Sequence, residues 1–253
     1  LTVANGGGST THAKGCSVAG YTGNDIEGAL KVARAADAIV LAVGIDQTQE
    51  REGRDRVNTT LPGEQTSLVA KVAALGKPVV LVLISGGTLS LGPLKAAVPA
   101  ILAAPYGGEM AAPALADVLF GQYNPSGKLA ATMYPPEYVK QLPLTEMSLT
   151  APPGRTHMFY EGTAEFAFGV GLSYTSWQIG WHARPPSAWD GRAPGPAPTA
   201  VRHSLVAEFG VLVRNTGARA GRRTVLVFVR PAAEADAALA QRDVRGRRLR
   251  QKL

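Results

Sequence analysis

The chain has 253 residues, 45% of them hydrophobic and 18% charged, with a formal net charge of +7. That much apolar material supports one large or two ordinary globular domains and excludes a collagen-like repeat, a coiled coil and wholesale disorder. The charge is uneven: residues 214–253 hold 11 Lys and Arg against 3 Asp and Glu, and residues 1–213 are close to neutral. A basic tail can bind nucleic acid or another anionic surface. No aromatic residue follows Phe228 to stack on bases, so a solvated terminus is the preferred reading and no nucleic-acid partner is expected. The apolar runs are strand-sized and far short of a membrane span, so no membrane partner is expected. The chain opens at Leu1 without a secretory leader, as a fragment or processed product would. Cys16 is the only cysteine, so no disulfide forms within the chain, and four scattered histidines offer no metal-ligand spacing. No metal or cofactor is expected.

In chain order, Asn24–Asp37 predicts a helix, with Asn24 as its cap and Ile26, Ala29, Leu30, Val32 and Ala33 at helical spacing. Ala38–Gly44 is a continuous apolar run, the pattern of a strand buried on both faces. A charged loop, Ile45–Leu61, follows. Pro62 is placed to open a second helix at its first position and Gly76 to close it. Pro78–Ile84 predicts the next strand, Ser85-Gly86-Gly87 a turn, Leu89–Val98 a short helix, Ala100–Pro105 a third strand and Glu109–Leu119 a third helix. Alternating strands and helices with short connections predict a doubly wound, mainly parallel α/β sandwich. In such sheets the working loops follow the carboxyl ends of the strands. Here these are Ile45–Leu61, Ser85–Thr88 and Tyr106–Glu109.

Beyond about Tyr134 the chain turns rich in Pro, Gly and aromatics. The expected organisation is an α/β domain with an irregular extension over 1–182, a Pro-rich linker over 183–199, and a cut-short β-sandwich with a basic tail over 200–253. Ser204–Val213 and Thr224–Val229 are the predicted strands of that last part, on either side of Arg214-Asn215-Thr216-Gly217.

The densest charge cluster runs from Gln49 to Arg56. A solvated surface loop and a general acid/base carboxylate on a mobile lip both fit it. Glu50, Glu52 and Asp55 favour one another's protonated forms, whereas Arg51, Arg54 and Arg56 oppose them, and the sequence leaves the balance open. Asn58-Thr59-Thr60 fits a glycosylation sequon. No Gly-x-Ser-x-Gly element is present, and neither a phosphate loop nor a dinucleotide fingerprint is complete.

A series of short motifs in fixed order then carries a resemblance. They include Ala36-Asp37-Ala38, Val43-Gly44-Ile45-Asp46, Glu50–Arg56 (EREGRDR), Leu61-Pro62-Gly63 and Leu83–Gly87. Tyr106–Glu109, Leu119-Phe120-Gly121, Tyr123–Leu129 (YNPSGKL), Gly154-Arg155-Thr156 and Phe168–Thr175 (FGVGLSYT) complete it. Over roughly residues 10–230 the chain resembles the C-terminal half of glycoside hydrolase family 3, nearest its plant-type β-xylosidase and α-L-arabinofuranosidase branch.

The resemblance implies a retaining exo-glycosidase of xylan-type or arabinoxylan oligosaccharides, placed in the extracellular or cell-wall space. A barrel domain supplies an Asp nucleophile, the α/β sandwich supplies the acid/base Glu, and a fibronectin type III-like domain follows. The family's Glu-Gly-x-Asp-Arg pattern falls on Glu52 to Arg56. It implies Glu52 as general acid/base, Glu50 as runner-up, and Asp55 and Arg56 as loop supports. The nucleophile is not in this chain, so the expected partners are an N-terminal barrel and an oligosaccharide substrate, and the chain alone is expected to be inactive. His157 and Met158 stand where the family has an aromatic and then a basic residue. Tyr160, Phe166, Phe168 and Tyr174 are expected to pack between domains. The alternatives are a non-catalytic carbohydrate-binding or interaction module, and an anion binder acting through Arg242–Lys252.

Overall fold

A computed structural model describes residues 1–19, 22–184 and 208–228. These residues group into two compact units. One holds the described residues of Leu1–Tyr123 and Lys128–Val170; the other holds Asn124–Gly127 and the described residues that follow Val170.

The first unit is built on three parallel strands in the order β1 (Ile39–Gly44), β2 (Val79–Ser85) and β3 (Ala100–Pro105). Helices α1 (Ile26–Ala35), α2 (Gln65–Ala73), α3 (Leu94–Ala97) and α4 (Ala111–Leu119) alternate with them, followed by the single turns α5 (Tyr138–Gln141) and α6 (Thr156–Phe159). This is an α/β unit with a parallel sheet, as the apolar runs predict. The order steps across the sheet in one direction, and the reversal that makes a sheet doubly wound is not among the described strands.

The core lies on one face of the sheet, where Val43, Val79, Leu81 and Leu83 meet Leu30 of α1 and Leu68, Val69 and Val72 of α2. These strand residues occur at every second position, which turns them to one side. The other side is only partly covered. Val40 of β1 is 39% and Ile84 of β2 37% exposed, and Ala42 is exposed too, so β1 is not buried on both faces as its unbroken apolar run predicts. Helix α4, with Asp117 as its one charged residue, buries none of its side chains among the described residues.

Two predicted helix starts move for local reasons. Asn24 spends its Oδ1 on the Ser17 N–H at 3.0 Å, and Asp25 takes the cap instead, accepting from Gly28 N at 2.9 Å. Pro62 sits in a turn before α2 rather than at its first position. Gly63, at φ +57, leaves the helical region, and the helix begins only at Gln65. Gly76, at φ +68, follows the end of α2 as expected.

Tyr138 is buried, stacks on Tyr134 with ring centroids 3.9 Å apart and donates to the Gly154 carbonyl at 2.9 Å. Burial, reinforced by Tyr134, pushes its phenol up to about 12. A raised folded-state value stabilises the fold fully below the ordinary tyrosine value and loses that contribution as pH rises through the raised one. We expect alkaline unfolding to steepen between about pH 10 and 12. Burial beside Tyr134 raises the Tyr160 phenol as well, so near-ultraviolet titration should show late-ionising phenols of which Tyr138→Phe removes one; a Tyr138 ionising with the exposed tyrosines would refute this.

In the second unit β4 (Trp177–Ala183) pairs antiparallel with β5 (Gly210–Asn215). Residues 177–182, expected to close the first domain, therefore lie with β5. The strand predicted over Ser204–Val213 is found as Gly210–Asn215, its first residues lying outside the described set. Thr224–Phe228 forms no strand, and Val229 is not described. The linker expected over 183–199 and the tail segment Arg242–Lys252 lie outside the described residues, apart from the linker's first two positions. Among the described residues no helix is long and apolar enough to cross a membrane.

Candidate active site

Gly44 ends β1 in a conformation suited to glycine, at φ +154, and its backbone is read by one side chain. Gln65 of α2 accepts from Gly44 N and donates to Gly44 O, both at 2.7 Å, and also donates to Val18 O at 2.9 Å. A buried amide thus satisfies the end of the strand and aims the chain that leaves it. Asp46 starts the loop. Its Oδ1 accepts from Thr48 N at 2.8 Å, and its carbonyl accepts from Gln49 N and Glu50 N.

Arg51 and Arg54 then exchange backbone hydrogen bonds of 3.2 and 2.9 Å, closing a two-residue hairpin turn over Glu52 and Gly53. Gly53, at φ +73, is the turn's third residue, where a positive φ marks a type II turn and favours glycine. Glu52 occupies the tip and is exposed. Asp55, expected to brace the loop by ion pairing, is exposed and shows no ion pair among the described residues.

Glu50 and Arg56 do brace the loop. Arg56 Nε donates to Glu50 Oε2 at 2.7 Å, and Arg56 Nη2 donates to the Thr88 carbonyl at 2.8 Å. Glu50 Oε1 accepts from Gly87 N at 2.7 Å. The pair ties the charged loop to the turn that follows β2. That turn must be bare: a Cβ on Gly86 would stand 2.8 Å from both Glu50 Oε1 and Tyr106, and one on Gly87 would stand 2.9 Å from Arg56 Nη2. Tyr106, just past β3, donates to the Ile45 carbonyl at 3.0 Å. All three loops singled out in the sequence therefore converge at the carboxyl end of the sheet.

The charged loop and Tyr106, with Leu144, line an open concavity of about 510 Å³ that includes Glu50, Glu52, Asp55 and Arg56. Arg56 Nη1 is buried without a hydrogen-bond partner among the described residues, a donor that the site leaves open. Both oxygens of Glu50 accept strong hydrogen bonds, one from a guanidinium, so this carboxylate is engaged as an acceptor. Glu52 shows no side-chain hydrogen bond or ion pair among the described residues. Sequence reasoning missed Gln65; it singled out the loops that hold Gly87 and Tyr106, by their place directly after strands β2 and β3, but gave neither residue a role.

The aromatics expected to pack between domains make the following contacts among the described residues. Tyr160 meets Tyr134 and Tyr138 edge-on, Phe166 lies under Lys95 and Phe168 stacks on His157. Tyr174, in the second unit, lies under Arg219.

Comparison with known proteins adds the family. The model of the glycosyl hydrolase family 3 C-terminal domain matches residues 4–174. Beta-xylosidase/alpha-L-arabinofuranosidase 1 of Medicago sativa subsp. varia is 43% identical over 173 residues, covering 65% of this chain and 22% of the relative. Beta-D-xylosidase 3 of Arabidopsis thaliana is 38% identical over 244 residues, 87% of this chain and 31% of the relative. Among solved structures, a GH3 exo-beta-xylosidase (XlnD) in complex with a xylobiose aziridine activity-based probe superposes with a TM-score of 0.64. It is 38% identical, over 67% of this chain and 23% of that one. The chain thus spans between about a fifth and a third of the length of these relatives.

Proposed function

The chain belongs to glycosyl hydrolase family 3, whose C-terminal domain it carries over residues 4–174, and from that premise we propose that it supplies the acid/base half of a retaining β-xylosidase-like site. The observation that carries this reading is the hairpin of Arg51–Arg54, which holds the Glu52 carboxylate at an exposed tip while Glu50 and Arg56 anchor its base. Retaining hydrolysis uses two carboxyl groups about 5–5.5 Å apart. One attacks the anomeric carbon, and the other protonates the leaving oxygen and later deprotonates water. Glu52 takes the second role here. The first falls to an Asp on a barrel domain of the full-length protein, as the family resemblance implies.

The charge logic of the two steps follows from that pairing. An ionised nucleophile beside Glu52 favours its protonated form, which the first step needs. Once the nucleophile is esterified its charge is gone, and Glu52 is free to act as base. Glu50 is the second reading, favoured by its fixed orientation at the floor of the same concavity. Arg56 supports the loop in either case, and Asp55 faces the same concavity.

The substrate proposed is a xylan-type or arabinoxylan oligosaccharide, in the extracellular or cell-wall space. The finer architecture is proposed on the same resemblance: a doubly wound sheet completed outside the described strands, and a fibronectin type III-like sandwich over 200–253 beyond a linker at 183–199. Neither a cofactor nor a metal enters the chemistry proposed.

The test is hydrolysis of an aryl β-xyloside by the full-length gene product and by this chain alone. We expect turnover from the first and none from the second, because one carboxylate cannot run both steps. Failure of the full-length product to hydrolyse it, with saturable calorimetric binding of xylo-oligosaccharides, would replace this reading by a non-catalytic carbohydrate-binding module.

A further inference from the structure

The sequon Asn58-Thr59-Thr60 supplies no group to the chemistry above, although Thr59 lines the edge of the same concavity, and its geometry has a separate meaning. Asn58 is exposed, and the preceding Val57 is 91% exposed. Asn58 Oδ1 accepts from both Thr60 N and Thr60 Oγ1 at 3.0 Å. The amide carbonyl is thus fully engaged within the sequon, and Nδ2 donates to no atom of the described residues. Such a turn is local, made by side chain to backbone two residues on, and needs no tertiary contact to form.

The following residues fix its direction. Thr59 O accepts from Ser90 N at 2.8 Å, and Ser90 Oγ donates to Thr59 Oγ1 at 2.7 Å. Thr59 and Thr60 are pinned to the strand-like bridge at Ser90, which leaves Asn58 on the outer side.

The chain carries its own contrast. Asn124-Pro125-Ser126 likewise has Asn and a hydroxyl residue two positions on, but proline at the middle position excludes it. Asn124 is also 7% exposed, with its amide spent on Ser173, Tyr174 and Ala220.

We propose that Asn58 is an N-glycosylation site, taking an oligosaccharide from a lipid-diphosphate-linked donor. Nδ2 forms a bond to the anomeric carbon of the donor sugar. The bond from that carbon to the diphosphate oxygen breaks, the lipid diphosphate leaves with the electron pair, and one Nδ2 proton passes to a base of the transferase. The proposal rests on the secretory placement put forward above, but not on the identity of the acid/base residue.

The experiment secretes the full-length gene product from a eukaryotic cell beside a glycoprotein standard. It then examines the tryptic peptide Val57–Lys71, in which Asn58 is the only asparagine. The expected result is a glycan on this peptide that an amidase removes with conversion of Asn58 to aspartate in heavy-oxygen water. Asn58→Gln and Thr60→Ala should both lose it, and Thr60→Ser should keep it. A bare peptide while the standard carries its glycans, or a glycan that survives Thr60→Ala, overturns the proposal. Xyloside hydrolysis measured on the same sample separates the two readings: an active enzyme with a bare Asn58 sinks only the modification site, and an inactive but glycosylated one sinks only the catalytic reading.

Discussion

Replacing Glu52 by alanine in the full-length gene product is expected to slow hydrolysis of an unactivated xylo-oligosaccharide by about 10²–10⁴-fold, the usual worth of a positioned general acid/base. The loss should depend on the leaving group. An alkoxide cannot depart without a proton, so the first step fails for an oligosaccharide. A dinitrophenolate departs unaided, so that substrate should react quickly once and then stall. A burst followed by a slow steady state is the kinetic mark of an accumulated glycosyl-enzyme. Equal losses on both substrates, with no burst, would mean that Glu52 does not handle the proton. Glu50→Ala should behave differently. It removes the acceptor that Gly87 N and Arg56 share, so it misplaces the loop and slows all substrates alike.

Gly44→Ala is expected to be more damaging to the fold than any change at the loop tip. A Cβ on Gly44 would lie 1.8 Å from the Ile84 carbonyl oxygen, well inside any real contact. The residue also holds φ +154, a region that side chains rarely adopt. Relief requires β1 to part from β2 at the point where Gln65 grips the backbone, which would strand the Gly44 N–H and the buried Gln65 amide. Steric and hydrogen-bond losses act together, and a cost above about 4 kcal/mol is expected, among the largest for a single substitution. Denaturant unfolding followed by circular dichroism checks it. A variant within about 1 kcal/mol of the parent would mean that the strand end relaxes easily.

These two sites differ in how far the sequence discloses them. Strands β1, β2 and β3 were legible because Ile39–Gly44, Val79–Ser85 and Ala100–Pro105 are short apolar runs bounded by turn residues, and such runs follow from local burial. Glu52 was singled out only through the Glu-Gly-x-Asp-Arg pattern of the resemblance; the turn at Gly53 that puts it at a tip was not read from the sequence. Nor was the brace. Glu50 and Arg56 are six residues apart, but their geometry depends on Gly87, whose N–H arrives from the turn after β2. Gln65 was likewise hidden, since a glutamine at a helix start gives no sign that it will bond to a strand 21 residues earlier. Contacts set by sheet register and crossover have no local signature. The unbroken apolar run of β1 misled for the opposite reason: composition reports the apolar character of Val40, not what covers it.

The same distinction explains the acid/base choice. Sequence spacing leaves Glu50 and Glu52 as alternatives, because both stand among arginines. Glu52 is the proposed acid/base because the two carboxylates differ in what their oxygens already do. Glu50 is an acceptor on both oxygens, whereas Glu52 stands at the exposed tip of the turn. A catalytic acid has to hold a proton that it then gives away, and a carboxylate already bridging a guanidinium and a backbone N–H is poorly placed to do so.

Chemical rescue puts the central claim to its most direct test. Azide supplied to the Glu52→Ala and Glu50→Ala forms of the full-length protein, with dinitrophenyl xyloside as substrate, reports which carboxylate activates water in the second step. A small anion fits the space left by the missing base and attacks the glycosyl-enzyme without one. The account predicts faster turnover and a xylosyl azide of retained configuration from Glu52→Ala, and no azide effect on Glu50→Ala. Rescue of Glu50→Ala with none of Glu52→Ala would contradict it and move the acid/base role to the floor of the site.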